Sequence, residues 1–120
     1  MKCKTFKYKK FNDCYFEVGN YLYNKQAMYI QIKNKKYGNI AIATVNMPEY
    51  FYSPGTTTIK NYSENSGMTE FLQKLGVIEI VYTKSRVNSL AAESETIDFC
   101  KINMEKLKEY SNKFEYEFGY

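Results

Sequence analysis

A chain of 120 residues suggests one domain, long enough to close a single core without metals or disulfides. An apolar fraction of 44% and a charged fraction of 25% are those of a globular protein and argue against disorder. The net charge of +4 is split unevenly: residues 1–60 hold ten Lys and three acids, net +7, whereas residues 61–120 hold seven basic residues and ten acids, net −3.

What is missing narrows the chemistry. No His occurs, so a Ser-His-Asp triad, a Cys-His pair and an imidazole base are excluded. Cys3, Cys14 and Cys100 form no CxxC pair, and reduced, metal-free thiols are expected. The acids stand singly or in spacings such as Glu105/Glu109 and Glu115/Glu117, which solvated faces produce by default, and neither a GxGxxG nor a Walker-type loop is present. The expectation is a non-enzymatic protein without cofactor. No apolar run approaches the ~18 residues of a membrane span, and no apolar segment follows the basic start MKCKTFKYKK, so a cytoplasmic location is expected.

In chain order, Phe6 and Tyr8 at period two predict a strand over Thr5 to Phe11. Phe16 and Val18 opposite Tyr15 and Glu17 predict a second, over Tyr15 to Tyr21. Met28, Ile30 and Ile32 alternate with Tyr29 and Gln31, and Ile40 to Val45 is a β-branched run. The polar segment Lys33 to Asn39 between them supplies Asn and Gly for a turn, so a hairpin spans Met28 to Val45. Pro48 lacks an N–H and ends that strand; Glu49 to Gly55 reads as a loop and Thr56 to Lys60 as extended again.

Met68, Phe71, Leu72 and Leu75 then fall at i, i+3, i+4 and i+7, one stripe of a helix. Ser66 is the expected N-cap and Gly76 the expected C′ residue. Two turns of helix are unstable alone, so the stripe is expected to dock on the strands carrying Ile30, Ile40, Ile42 and Val45. Val77 to Tyr82 predicts a strand, Thr83 to Ser94 a mobile polar loop, and Thr96 to Ile102 another strand. Asn103 is placed to cap a second helix carrying Met104, Leu107, Tyr110 and Phe114, while the alternation in Phe114 to Phe118 also suits a strand. The fold class is α+β: a mainly antiparallel sheet with one or two short helices packed on it.

Three segments carry a likeness: TVNMP (Thr44 to Pro48), IKNYSENSGMTEFLQKLGVIE (Ile59 to Glu79) and, more faintly, IDFCKI (Ile97 to Ile102). Through them, residues 27–102 resemble a family of small domain-of-unknown-function proteins encoded on bacterial plasmids, conjugative elements and phages. The resemblance implies a mobile-element protein and a compact α+β domain, and it brings no catalytic residue.

Two groups of residues are candidates for partner binding. The first is basic, Lys4, Lys7, Lys9, Lys10, Lys33, Lys35 and Lys36, interleaved with Tyr8 and other rings, a combination able to track phosphates and stack bases. Plainer explanations compete: lysines protect edge strands, and an AT-rich coding bias gives sixteen Lys to one Arg. The second group is Tyr62, Glu64 and Asn65, a recognition loop if it does more than lead into the helix. With the mobile-element resemblance, these features lead to the expectation of an inhibitor of a bacterial defence nuclease, of the anti-CRISPR kind, bound to the effector or its guide RNA. The alternative is a non-specific nucleic-acid-binding accessory protein of a mobile element.

Overall fold

The computed structural model describes residues 3–22, 27–47, 52–88 and 93–116, without the side chains of 86–88 and 93–96. It is α+β, mostly antiparallel sheet with two short helices. Strand β1 (Phe6–Tyr8) turns through Lys9 and Lys10 into the ten-residue β2 (Phe11–Asn20). Strand β2 pairs antiparallel with β3 (Met28–Asn34), which turns through residues 35–37 into β4 (Gly38–Ile42). Alternation decides the faces as the sequence predicts: Met28, Ile30 and Ile32 are buried, and Tyr29, Gln31 and Lys33 are half-exposed.

The second sheet has the order β5 (Thr56–Lys60), β7 (Glu93–Ile102), β6 (Ile78–Asn88), all antiparallel. The two sheets join where the chain leaves β4. Val45 N–H donates to Thr58 O at 3.0 Å and Lys60 N–H to Ala43 O at 3.0 Å, so residues 43–45 cross into the second sheet. Beyond that junction β5 no longer follows β4.

Helix α1 (Met68–Leu75) lies over the core with Met68 and Leu72 buried, while Phe71 and Leu75 are half-buried. Phe71 packs on Phe6 and Tyr8 of β1, with ring centroids 5.5 and 5.0 Å away, a contact the sequence did not announce. Of the strand residues expected beneath the stripe, Ile30 and Ile40 join this core, Ile42 is open to solvent, and Val45 packs in a second cluster around Met47, Tyr52, Ile97 and Phe99.

Three local expectations are corrected. Ser66 does not cap α1; the N-cap is Gly67 at φ 90°, and the orphan N–H groups of Gly67 and Thr69 donate to Asn61 Oδ1 at 3.0 and 3.2 Å. The side chain of Asn61 reaches the helix start because the 3₁₀ turn Ser63–Asn65 folds the intervening residues back. Of the loop expected at Thr83 to Ser94, residues 83–88 and 93–94 are strand: β6 and β7 run on with a register that places Arg86 opposite Glu95, and Thr83 Oγ1 donates to Asp98 Oδ1 at 2.6 Å, while residues 89–92 lie outside those described. Thr83 to Ser85 are exposed, and a strand exposed there needs no apolar alternation, so its polarity reads like that of a loop. Finally, α2 (Met104–Glu109), capped by Asn103 as expected, stops at Tyr110, and β8 (Ser111–Phe114) pairs parallel with the free half of the β2 edge, beyond β1. Of the strand expected at Phe114 to Phe118 only Phe114 belongs to β8; Glu115 and Tyr116 follow it outside any strand, and the last two residues lie outside those described. Pro48 and Glu49 to Phe51 lie outside them too.

Candidate functional site

The two hairpin turns β1–β2 and β3–β4 meet at one end of the first sheet, because Cys14 of β2 pairs with Asn34 of β3. Asn34 holds them together. Its Oδ1 accepts from the N–H groups of Lys36 (2.9 Å) and Tyr37 (3.1 Å), a turn made by the side chain itself, and its Nδ2 donates to Asn12 O. Phe11 and Tyr37 touch edge to face, with centroids 5.6 Å apart. The Nζ of Lys10 lies 5.6 Å from the Phe11 ring centre and that of Lys36 lies 5.3 Å from the Tyr37 ring centre.

Four lysines, Lys9, Lys10, Lys35 and Lys36, therefore share one tip with two aromatic rings. Among the described residues no carboxylate comes within ion-pair distance of any of the four. The nearest acid along the chain is Asp13, exposed on the bulge of β2. Tyr37 is 62% exposed, an open ring set among cations.

The remaining basic candidates go elsewhere. Lys4 pairs with Glu109 at 2.8 Å, and Lys33 pairs with Glu17 at 3.0 Å on the outer face of the sheet. Each lysine is held above its usual pKa, first by the hydrogen bond to its carboxylate. Lys7 stands exposed on β1. The charge split along the chain is thus partly undone in space: Lys4 from the basic half meets an acid of the acidic half, and among the described lysines of the basic half Lys7 and the four at the tip are left without an ion pair.

Beside the tip lies an open groove of about 760 Å³. Lys9 and Phe11 belong to both. One wall is β4, lining the groove with the consecutive residues Asn39 to Ile42, a pattern produced by a strand edge rather than a strand face. The opposite wall is the segment Tyr62 to Asn65. Asn65 is 2% exposed, and its Nδ2 donates to Ile42 O at 2.6 Å, so it fastens this segment to β4 and offers little to a partner. Tyr8 is likewise buried, its ring against Phe71, and burial raises its pKa.

Tyr62 and Glu64 do face the groove. Lys60 Nζ ion-pairs with Glu64 Oε1 and lies 5.4 Å from the Tyr62 ring centre, while Lys9 Nζ donates to Glu64 O at 2.9 Å. The hydrogen bond from Lys60 lowers the Glu64 pKa to about 2. Further in, the Tyr21 hydroxyl shares a 2.7 Å hydrogen bond with Thr44 Oγ1, and burial lifts its pKa to about 12. Tyr29 stands perpendicular to Tyr21 with centroids 5.5 Å apart, and its hydroxyl donates to Gln31 Oε1 at 3.3 Å. Sequence reasoning missed Tyr21, Tyr29, Gln31 and Lys60. The half-exposed alternate face of β3 was the available signal, but nothing local tells that loop 61–65 closes over it.

Backbone strain falls in the same region. Among the described residues the non-glycine positions with positive φ are Lys9 (53°), Asp13 (57°) and Ser63 (57°). Glycine or asparagine would occupy the Lys9 turn position more cheaply, and such outliers gather at functional sites more than elsewhere.

No family model matches the chain, and no curated protein or solved structure is similar to it.

Proposed function

We propose that this protein is a non-enzymatic binder of nucleic-acid backbone that works as an inhibitor of a bacterial defence nuclease, engaging the guide RNA or the effector surface that holds it. The observation that carries the reading is the tip: two adjoining turns carry Lys9, Lys10, Lys35 and Lys36, none of them ion-paired to a carboxylate among the described residues, with Lys10 and Lys36 over the Phe11 and Tyr37 rings. Ammonium groups displace the counterions of phosphates, and open rings stack on bases without demanding a sequence. Lysine in place of arginine favours backbone contact over bidentate reading of bases.

A binding role also suits the groove. Its only carboxylate among the described lining residues, Glu64, is held by Lys60 at a pKa of about 2, which makes it a weak base. The setting, a mobile element opposing a host nuclease, is carried by the resemblance of residues 59–79 and by nothing in the geometry.

The test is a pull-down with the tagged protein from a host carrying a defence nuclease, run with and without prior nuclease treatment, and followed by a cleavage assay on the captured effector. Capture of the effector with loss of cleavage is expected. Capture of mixed nucleic acid with no effector and undiminished cleavage supports the accessory-protein alternative. Retention of neither sinks both readings.

A further inference from the structure

We infer that the groove between β4 and the Tyr62–Asn65 segment seats an unpaired nucleobase, so that the protein prefers single-stranded nucleic acid to duplex. This rests on the proposal that the tip binds phosphate, and it adds what lies next to the phosphate.

The groove's 760 Å³ is within the size of small-ligand sites and is ample for one nucleotide. Its surfaces are of the types that hold a base: half-exposed rings from Tyr29 and Tyr62 for stacking, apolar Ile40 and Ile42 beneath, and carboxamides for the base edge. Because Gln31 Oε1 already accepts from Tyr29, the Gln31 amide nitrogen is the group left to donate to a base carbonyl. Ile42 is among the most exposed large apolar residues described, as is Tyr37 at the tip, and a stacked strand would cover both.

Continuity with the tip is the second argument. Lys9 lines the groove and belongs to the lysine cluster, and Lys60 stands on the far wall, so cations flank the place where the base would enter. A nucleotide strand repeats this alternation of phosphate and ring. In a duplex the bases face one another and cannot enter a groove walled on both sides without being flipped out. The open edge of β4 could in principle receive an extended peptide instead, but a peptide has no use for a groove continuous with a lysine tip unless it is acidic.

The experiment compares four fluorescent probes at low salt: a twelve-nucleotide single-stranded RNA, an abasic strand of the same length, the corresponding duplex, and inorganic polyphosphate. The tip alone predicts binding to all four in proportion to charge. The groove predicts that the base-bearing strand binds roughly 5- to 160-fold tighter than the abasic one, the worth of stacking one base. Tyr62→Leu and, separately, Tyr29→Leu should remove that advantage while leaving polyphosphate binding unchanged, with far-UV circular dichroism confirming that each variant is folded. Equal affinity for base-bearing and abasic strands, or a preference for duplex, overturns the inference but leaves the phosphate-binding reading intact, and the β4 edge would then fall to a peptide strand. Failure to bind any of the four probes removes the reading on which the inference rests.

Discussion

Replacing Leu72 by Ala tests whether α1 is held in place by the core beneath it. Leu72 is 0% exposed and sits in the main cluster with Phe16, Ile30 and Ile59. The substitution deletes three buried carbon atoms, a transfer loss of about 2.4 kcal/mol at ~0.8 kcal/mol per methylene. The unfilled space adds to this, and the expected total is about 3–4 kcal/mol. A chain of this length has a stability of roughly 6–18 kcal/mol, so the change is a large share of it. Because α1 is a helix of eight residues that cannot persist alone, loosening it also frees the Asn61 anchorage of the groove wall. Urea unfolding followed by far-UV circular dichroism gives the number, with Gln73→Ala on the exposed face of the same helix as control, expected within about 0.5 kcal/mol. A loss below about 1 kcal/mol for Leu72→Ala, or one no larger than the control, would refute the packing described here.

Asn61→Ala should destabilise by about 1 kcal/mol through loss of the α1 cap, and Ser66→Ala by much less; equal effects in urea titrations would contradict the corrected cap. The Glu64 carboxyl, followed by NMR, should titrate near pH 2, and Lys60→Met should return it toward its ordinary value of 4.5. The sign follows from a folded-state pKa below the unfolded one. The contribution of this pair is present above pH 4.5 and disappears as pH falls toward 2. Thiol labelling of the native protein at pH 8 should mark half-buried Cys3 first. Cys14 and Cys100 are buried and unbridged, and burial raises Cys100 to about 12, so neither should react until unfolding; early labelling of Cys100 would show that β7 opens readily.

Much of the fold was legible because the strands around the core alternate cleanly. Met28 to Ile32 gave both a strand and its faces, and the stripe from Met68 to Leu75, ended by Gly76 at φ 82°, gave α1. The extension of β6 past Tyr82 was not legible, since Thr83 to Ser85 are exposed and polar and carry no hydrophobic period. Nor was the cap: Asn61 lies six and eight residues before the N–H groups it satisfies, outside the window in which caps are recognised. At the site, the lysines were visible but their grouping was not. Sequence places Lys4 nearer to Lys9 than to Glu109, whereas the fold pairs Lys4 with Glu109 and brings Lys9 and Lys10 beside Lys35 and Lys36 through the Cys14–Asn34 register. Asn65 looked like a reader and is a fastener, because the Ile42 carbonyl of β4 takes its amide.

The central claim is that uncompensated charge at the tip binds nucleic acid. It is tested most directly by the salt dependence of single-stranded RNA binding in the triple variant Lys9→Glu/Lys10→Glu/Lys36→Glu, set against Lys106→Glu/Lys108→Glu/Lys113→Glu. In the second set Lys106 lies 3.7 Å from Glu109 and Lys113 3.7 Å from Glu115, so those charges are already opposed. Four phosphate contacts give a slope of log affinity on log salt of about −3, or roughly 50-fold weaker binding between 50 and 200 mM salt. The wild type and the second variant should show that slope, and the first variant should lose binding while unfolding at an unchanged urea midpoint, since exposed charges contribute little to stability. Loss of binding from the second variant but not the first, or a wild-type affinity indifferent to salt, would contradict the claim.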